Sequence, residues 1–355
     1  MTEAPSSPPH VARWDLDKTY LRTEFDTLRD LVKTALERPD EKTSHPGASA
    51  LIRELQSLGV EIHVLSGSPE QMRRRLEQKL RLDGIRFASL TLKPNLQNLL
   101  RLRFRSIRGQ LGYKLPTLLA MRAGLEPIVH ETLVGDDAEA DAFIYALYAD
   151  LCSGQVDEGL LVGVMQTDRC HEEEIEHALT ALRRLEKRAP VVDRVLIHLD
   201  RQTPPQDFDL YGGRVVPFYN YFQAALVLQE DGRLSADAVL RVGTDLVLQH
   251  RFDGDALVRS YLDLARRGHV HGSGLTALAE ALERWPVADS RRHSMPPLSS
   301  RSQGVVRPGL DEVYALGRRI DELRKAAEVA PERPAIAVPD YLMLVRIHNR
   351  RRHKK

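Results

Sequence analysis

Two carboxylates spaced by one residue follow an apolar stretch near the start of the chain, in the sequence Trp-Asp-Leu-Asp-Lys-Thr at 14–19. Because side chains alternate along a strand, Asp15 and Asp17 would lie on the same side of a strand that ends here. Such a pair can supply a nucleophile, a neighbouring general acid/base and part of a divalent-cation site, which together perform phosphoryl transfer. Taken alone, the segment favours a strand that runs into an Asp-rich turn.

Two later apolar runs also end in polar residues. The run at 61–65 is followed by Ser66, and the run at 132–134 is followed by Asp136. Each run leads into a stretch with helical spacing, and this alternation predicts a parallel α/β sheet with helices on both faces. Ligands of such sheets bind beyond the carboxyl ends of the strands, so we expect these polar side chains to converge with the first pair of carboxylates.

A lysine between the second and third predicted strands completes the set. Lys114 lies in the segment 112–117, which leads into the apolar residues 118–121, and this places the lysine near a predicted helix start. A lysine at that place can bridge an aspartyl nucleophile and a phosphoryl oxygen, whereas taken singly it fits a solvated surface position. The ordered set of motifs, each at a predicted element boundary, favours the first interpretation.

The order Asp-x-Asp, Ser, Lys and Gly-Asp-Asp with a further Asp resembles the four motifs of the haloacid dehalogenase (HAD) superfamily of aspartate-nucleophile phosphatases. The segments at 66–69, 92–93 and 135–145 are similar, more narrowly, to the catalytic domain of the actin-patch-associated phosphatidate phosphatases. This resemblance covers residues 11 to 150, with a continuation towards 194–200. Two residues depart from the narrower pattern, Lys18 where an acidic or small residue is common and Phe143 where Glu is usual.

The resemblance implies a role for each matching position. Asp15 would attack phosphorus and form an aspartyl-phosphate, while Asp17 would protonate the leaving oxygen and later activate water. The phosphoryl oxygens would be bound by Ser66, Gly67 and Lys114. A Mg²⁺ ion would be held by Asp15, the main-chain carbonyl of Asp17 and Asp136. Supporting roles fall to Thr19, Asp137 and Asp141.

The charge of the chain is strongly polarised, although the formal net charge is only +1. Residues 71–114 contain twelve Lys or Arg against two acidic residues, and 126–158 contain nine acidic residues without any Lys or Arg. The basic stretch, with arginines alternating at 101, 103 and 105, can attract an anionic substrate or surface. It fits equally a solvated face that pairs with acidic neighbours.

Composition and periodicity predict two regions. A chain of 355 residues with 42% hydrophobic residues can form one large or two modest domains. We expect a leader at 1–10, a HAD-like domain with a small cap at 11–214 that includes a helix at 24–37, and a mainly helical accessory region at 215–330. Within the accessory region, residues 286–308 are predicted to form a loop. Residues 331–355, which follow this region, are predicted to form a mobile basic tail.

Several function classes are disfavoured. Two cysteines give neither a metal-binding pattern nor a disulfide framework, which indicates a reduced, cytoplasmic setting. No apolar run approaches the ~20 residues that span a bilayer, so any membrane contact would be peripheral. The expected substrate is phosphatidate or another lipid phosphate. The alternatives are a nucleic-acid end, a soluble metabolite, or an interaction scaffold that keeps the fold.

Three further segments resemble functional motifs. Gly272, Ser273 and Gly274 lack the rest of a phosphate loop, so a helix start is predicted there. His269 and His271 have no further ligand at metal-binding spacing, which favours a turn. His171, followed by three glutamates, is typical of a charged helix start.

Overall fold

The computed structural model describes residues 9–22, 43–93, 107–138, 140–285 and 310–353. The predicted helix at 24–37, the arginines at 101, 103 and 105, and the loop at 286–308 lie outside the described residues, as does most of the leader. The chain divides into two units. The sheet unit comprises Met1–His45, Gly59–Tyr219 and Pro334–Lys355, and the helical unit comprises Pro46–Leu58 and Asn220–Arg333.

The described residues of the sheet unit form one six-stranded sheet in which all neighbouring strands are parallel. The strands are β1 His10–Asp15, β2 Glu61–Pro69, β3 Ser89–Lys93, β4 His130–Asp136, β5 Val192–His198 and β6 Val215–Phe218. Their order is β3-β2-β1-β4-β5-β6, so the direction of winding reverses between β1 and β4. The predicted parallel α/β sheet is therefore confirmed, and its switch point lies where ligands of such sheets bind.

Fourteen helices occur in the described residues, besides two short 3₁₀ segments, Glu70–Met72 and Pro205–Tyr211. The helices are α1 Ala48–Ser57, α2 Arg73–Leu82, α3 Ile107–Arg122, α4 Asp141–Ser153, α5 Glu158–Thr167, α6 Glu172–Arg183, α7 Tyr221–Glu230, α8 Ala236–His250, α9 Gly254–Arg266, α10 Gly272–Arg284, α11 Leu310–Val313, α12 Ala315–Arg318, α13 Ile320–Glu328 and α14 Tyr341–His353. None of the described helices combines the length and apolar character needed to cross a membrane.

The core of the sheet unit forms around α4. Twelve of its thirteen residues are buried, which fits a helix that is apolar on almost every side and is enclosed by other elements. The strands have the nearly continuous apolar runs typical of parallel strands covered on both faces. α4 begins directly after β4, so its first residue, Asp141, lies at the carboxyl edge of the sheet.

The helical unit confirms the helices expected in the second half of the chain. Its helices begin at caps that the sequence provides: Asn220 accepts from Gln223 N, and Ser235 accepts from Ala238 N. The glycine-rich segment at 272–274 forms the first turn of α10, as predicted. The last part of this region, from Leu310 to Glu328, contains three short helices, α11 to α13.

The expected domain boundaries differ from the structure at two places. Val215–Phe218 is a strand of the sheet, because a four-residue run that includes a proline gives too weak a signal to be separated from the helices that follow. The predicted mobile tail contains α14, whose Tyr341, Leu344 and Val345 are buried in the core of the sheet unit. Its basic composition conceals this apolar face with spacings of three and four.

Candidate active site

The carboxylates predicted to share a sheet edge are placed there by the strand register. Asp15 is the last residue of β1 and pairs with Leu65 of β2, while Trp14 pairs with Val134 of β4. Asp136 ends β4, next to β1 at the switch point of the sheet. Asp15 and Asp136 are 1% and 0% exposed, so their carboxylates meet in a buried space at this edge.

The chain turns sharply after β1 and brings Thr19 back to the strand end. Main-chain N–H groups of Tyr20 and Leu21 donate to the carbonyl of Leu16, and Lys18 adopts a left-handed φ of 60°. The hydroxyl of Thr19 lies 3.2 Å from Oδ2 of Asp15 and 3.3 Å from Oδ2 of Asp136. Its single proton can therefore be donated to either carboxylate, which links the ends of β1 and β4.

Lys114 enters the same space from α3. Its Nζ donates to Oδ1 of Asp15 at 2.9 Å and to Oδ1 of Asp141 at 2.5 Å, and the lysine is 0% exposed. The helix start predicted near Lys114 from the apolar residues 118–121 is wrong, because α3 begins earlier, at Ile107, and continues through Pro116. Four buried leucines pack α3 into the core and offset the hydrogen bond that proline cannot make. They are Leu111, Leu115, Leu118 and Leu119.

Asp15, Asp136 and Asp141 form a compact acidic cluster. One carboxylate oxygen from each lies within 4.8 Å of the others, and all three side chains are buried. Asp141 can approach so closely because residue 135 is glycine, where an added Cβ would lie 2.6 Å from Cβ of Asp141. Oδ2 of Asp141 also accepts the main-chain N–H of Asp136 at 3.3 Å.

Asp17 lies beside this cluster and is held by two serines. The hydroxyls of Ser66 and Ser68 both donate to Oδ2 of Asp17, each at 2.8 Å. Ser66 Oγ also accepts the main-chain N–H of Ser68 at 2.9 Å. The hydroxyl expected to bind phosphate therefore contacts the carboxylate expected to act as acid/base. Ser68 is an additional site residue, which the two-residue spacing from Ser66 could have indicated.

The two remaining acidic predictions are placed differently. Asp141 lies within the cluster, as described, whereas the carboxylate of Asp137 accepts the main-chain N–H groups of Arg201 and Thr203 at 2.8 and 3.0 Å. Asp137 also donates its own N–H to the carbonyl of His198 at 3.0 Å. It therefore ties the end of β4 to the loop after β5.

The main chain of β2 at Gly67 faces α3. A Cβ added at Gly67 would meet only the Gln110 amide nitrogen of α3, at 3.9 Å. Gln110 precedes Lys114 by one helical turn, so both side chains lie on the same face of α3. Its Oε1 is buried without a hydrogen-bond partner among the described residues, which makes Gln110 a candidate site residue that sequence reasoning missed.

Two tyrosines surround the site with neutral hydroxyl groups. Tyr113 donates to the carbonyl of Ser66 at 3.3 Å, and burial raises the pKa of its phenol. Burial, followed by the charge of Asp141, also raises the pKa of Tyr145 well above its ordinary value. Both phenols therefore stay protonated at neutral pH, so neither adds negative charge to the cluster.

No protein-family model, curated protein or solved structure matches this chain.

The charges of the site suit a hard divalent cation. Three carboxylates share a buried space, and among the described residues the ammonium group of Lys114 pairs with two of them, Asp15 and Asp141. Uncompensated buried charge is costly, and an all-oxygen donor set is the one that Mg²⁺ prefers. Asp15, Asp136 and Asp141 are the residues whose carboxylates could hold such an ion.

Proposed function

We propose that this protein is a Mg²⁺-dependent phosphomonoester hydrolase of the haloacid dehalogenase type. The observation that carries the proposal is the bridge made by Lys114 between Asp15 and Asp141 at the carboxyl end of β1. It joins a carboxylate that can attack phosphorus to the positive charge that an anionic substrate requires. The sheet order supports the proposal because it places this pair at the switch point.

Asp15 acts as the nucleophile. Its carboxylate attacks phosphorus in line, the bond from phosphorus to the leaving oxygen breaks, and an aspartyl-phosphate forms. The attack brings two anions together, and the ammonium of Lys114 offsets their repulsion. Thr19 orients the attacking group, since its hydroxyl contacts the second carboxylate oxygen of Asp15.

Asp17 serves as general acid and then as general base. It donates a proton to the leaving alcohol oxygen and later removes one from the water that attacks the aspartyl-phosphate. Ser66 and Ser68 fix the position of this carboxylate through hydrogen bonds to its Oδ2. The hydroxyl of Ser66 and the main-chain N–H of Gly67 would donate to the oxygens of a bound phosphate.

A Mg²⁺ ion would bind Asp15 and Asp136, with Asp141 beside it and the main-chain carbonyl of Asp17 as a further oxygen donor. It would supply positive charge to the phosphoryl oxygens and fix their orientation. Asp141 also binds Lys114 and the main chain of β4, so it holds both the ammonium and the metal-binding edge in place.

A lipid phosphate such as phosphatidate is the proposed substrate class, on the resemblance of the motifs. The described part of the basic stretch gives it limited support, because several of its charges are already paired. Arg73 binds Glu70, Lys79 binds Asp83 at 2.8 Å, and Arg81 lies 3.6 Å from Glu77. A nucleic-acid end or a soluble phosphomonoester remains the alternative substrate.

The test is phosphate release by the purified full chain with Mg²⁺. The panel comprises phosphatidate in vesicles, a 5′-phosphorylated oligonucleotide, a nucleoside monophosphate, a sugar phosphate and a phosphoserine peptide. Asp15→Asn should abolish release, and Asp209→Asn, the same change at an exposed carboxylate of the sheet unit, should leave it unchanged. Absence of release from every substrate would contradict the enzyme proposal and favour a binding scaffold.

The salt dependence of binding and sedimentation with vesicles distinguish a nucleic-acid substrate from a lipid substrate. Binding to an oligonucleotide should weaken steeply as salt rises, because phosphate contacts release counterions. Sedimentation with anionic vesicles reports the lipid alternative directly. Preferential hydrolysis of vesicle-borne phosphatidate, with weak oligonucleotide binding, is the expected result.

A further inference from the structure

A second group of side chains with metal-ligand chemistry lies at the carboxyl end of β5. His198 is the last residue of that strand, Asp200 follows it, and His45 joins them from the segment before α1. One ligand atom from each residue lies within 4.8 Å of the other two. None of the three has a role in the proposed phosphoryl transfer, and their distance in the sequence conceals the grouping.

Main-chain pairing fixes the position of His45. Its N–H donates to the carbonyl of Tyr20 at 2.8 Å, next to the antiparallel bridge between Leu21 and Ser44. The imidazole of His45 meets that of His198 edge to face, with ring centroids 4.4 Å apart. The two rings are therefore held together by the turn after β1 and by the end of β5.

The ring of His198 is oriented as metal-binding histidines commonly are. Its Nδ1 lies 3.3 Å from the main-chain carbonyl of Lys18. A carbonyl oxygen only accepts hydrogen bonds, so Nδ1 carries the proton and the lone pair resides on Nε2. A backbone carbonyl that binds one imidazole nitrogen in this way sets the tautomer in which the other nitrogen binds a metal.

His45 presents a nitrogen that the surrounding protein does not satisfy. Its Nε2 is buried and has no hydrogen-bond partner among the described residues, and its side chain is 8% exposed. Oδ1 of Asp200 is the facing carboxylate oxygen, at 3.7 Å, which is too long for a hydrogen bond. Buried polar groups normally have a partner, so this nitrogen and this oxygen together indicate a ligand between them.

We propose that His45, His198 and Asp200 bind a divalent transition-metal ion, for which Zn²⁺ is the reference. Two imidazole nitrogens and one carboxylate oxygen form a donor set typical of zinc sites with three protein ligands and an open fourth position. Mg²⁺ prefers oxygen donors and does not suit this set.

The distances and the exposure fit that ion. Ligands at ~2.0 Å in a tetrahedral site are about 3.3 Å apart, so the 3.7 Å between His45 and Asp200 requires only a small movement. The side chain of Asp200 is 31% exposed, which gives an ion a route from solvent and leaves room for a water ligand.

This site is chemically distinct from the acidic cluster, although both lie at the same edge of the sheet. Asp136 and His198 are partners in the register of β4 and β5. One site offers only oxygen atoms and the other offers mainly nitrogen. Excess Mg²⁺ should therefore occupy the acidic cluster while it leaves the histidine site available.

The experiment is a Co²⁺ titration of the full chain in excess Mg²⁺, followed by visible absorption. One Co²⁺ per chain should give the intense absorption of a four-coordinate site, and added Zn²⁺ should displace it. Two variants, Asp200→Asn and His198→Ala, should each weaken Co²⁺ binding by at least about 100-fold. This is the upper end of the loss that follows from changing a residue that only orients a metal ligand. Asp200→Asn is a conservative change at a partly exposed side chain.

The controls separate this site from other histidines and from the proposed phosphatase. His250→Ala should leave binding unchanged, since His250 faces a single carboxylate, Asp245, at 3.7 Å. Asp15→Asn should give the same Co²⁺ spectrum as the wild type. A failure of the proposed phosphatase activity would therefore leave the proposed histidine metal site untouched, and the reverse also holds. Zn²⁺ should raise the melting temperature of the wild type but not of Asp200→Asn. The proposal is overturned if the wild type binds no Co²⁺ in excess Mg²⁺, or if Asp200→Asn binds it as tightly.

Discussion

Nζ of Lys114 lies 2.9 Å from Oδ1 of Asp15, and neither side chain is exposed to solvent beyond 1%. Ion pairs at the surface contribute little, but removing one partner of a fully buried pair leaves an uncompensated charge. The same ammonium also binds Asp141, so a single lysine balances two of the three carboxylates in the acidic cluster. The stability of the sheet unit and its proposed chemistry thus depend on one side chain.

Replacing Lys114 with methionine should lower the free energy of unfolding by about 3–5 kcal/mol, since it removes the positive charge and keeps the buried carboxylates. Mg²⁺ should restore part of that stability by supplying charge to the same cluster. Urea denaturation with and without Mg²⁺ measures both effects.

Lys79→Met is the matched control, because Lys79 pairs with a single partly exposed carboxylate, Asp83, at 2.8 Å. Its loss should be smaller than that of Lys114→Met, because Asp83 is 16% exposed and also accepts a hydrogen bond from the hydroxyl of Tyr20. Equal losses for the two variants would contradict the central role of Lys114.

Ser68→Ala should lower kcat about 10-fold, a fraction of the ~10²–10⁴ that acid/base catalysis contributes, because Asp17 keeps its other serine donor. KM should stay near the wild-type value. Ser66→Ala should change both constants, since Ser66 contacts Asp17 and is also the proposed phosphate ligand. Steady-state kinetics on the best substrate of the panel separates the two roles.

Ser57→Ala is the control for loss of a hydroxyl group, as its Oγ donates to a main-chain carbonyl in α1. It should leave both constants unchanged. An increase in KM for Ser68→Ala equal to that for Ser66→Ala would assign both serines to phosphate.

Much of this arrangement follows from patterns in the sequence. Apolar runs of strand length, each followed by helical spacing, predicted the parallel sheet, and a parallel sheet brings Asp15 and Asp136 to one edge. The contact between Asp141 and Lys114 was not predictable in the same way. It requires a close approach that only the missing side chain of Gly135 allows.

Other features lacked a local signal. The apolar residues 118–121 predicted a helix start near Lys114, but tertiary packing of the leucines around Pro116 allows α3 to begin earlier and to continue through the proline. The grouping of His45 with His198 depends on the turn after β1, which no spacing in the sequence reveals. Contacts between residues that are far apart in the sequence depend on topology and packing, and the periodicity of apolar residues does not predict them.

Glu131 should make stability depend on pH. It is 0% exposed and binds Arg13, Arg122 at 3.0 Å and the hydroxyl of Tyr148. Burial alone would raise the pKa of its carboxyl, but the charges and hydrogen bonds of the two arginines outweigh burial and hold it below 4.5. The folded state therefore gains stability from this group above about pH 4.5, and loses it as pH falls towards the lower folded pKa.

Glu131→Gln removes that contribution and leaves two buried arginines without an anion. The variant should be less stable than the wild type by about 3–5 kcal/mol at neutral pH, and the difference should narrow as pH falls below about 4.5. Urea denaturation across the acid range measures it. A difference that stays constant with pH would contradict the charged state assigned to Glu131.

Tyr341 anchors α14 to the core of the sheet unit. Its hydroxyl donates to Oδ2 of Asp150 at 2.6 Å, while Arg214 binds Oδ1 of the same carboxylate at 2.6 Å. Its ring meets Phe143 edge to face, with centroids 5.8 Å apart, so a residue that departs from the phosphatase pattern packs against this helix. A truncation before β6 would remove both β6 and α14 from the sheet unit, and we expect it to unfold rather than retain activity.

Tyr341→Phe isolates the hydrogen bond. It should lower the free energy of unfolding by about 1–3 kcal/mol, because one oxygen of the buried Asp150 loses its donor while the ring keeps its packing. Tyr211→Phe is the matched control, since its hydroxyl makes a partly buried hydrogen bond of 3.0 Å with His348 of α14. It should cost about 0.5–1.5 kcal/mol, the range for an ordinary hydrogen bond. If Tyr341→Phe proves no more costly than Tyr211→Phe in urea denaturation, then Arg214 alone compensates Asp150, and α14 is held by its apolar contacts.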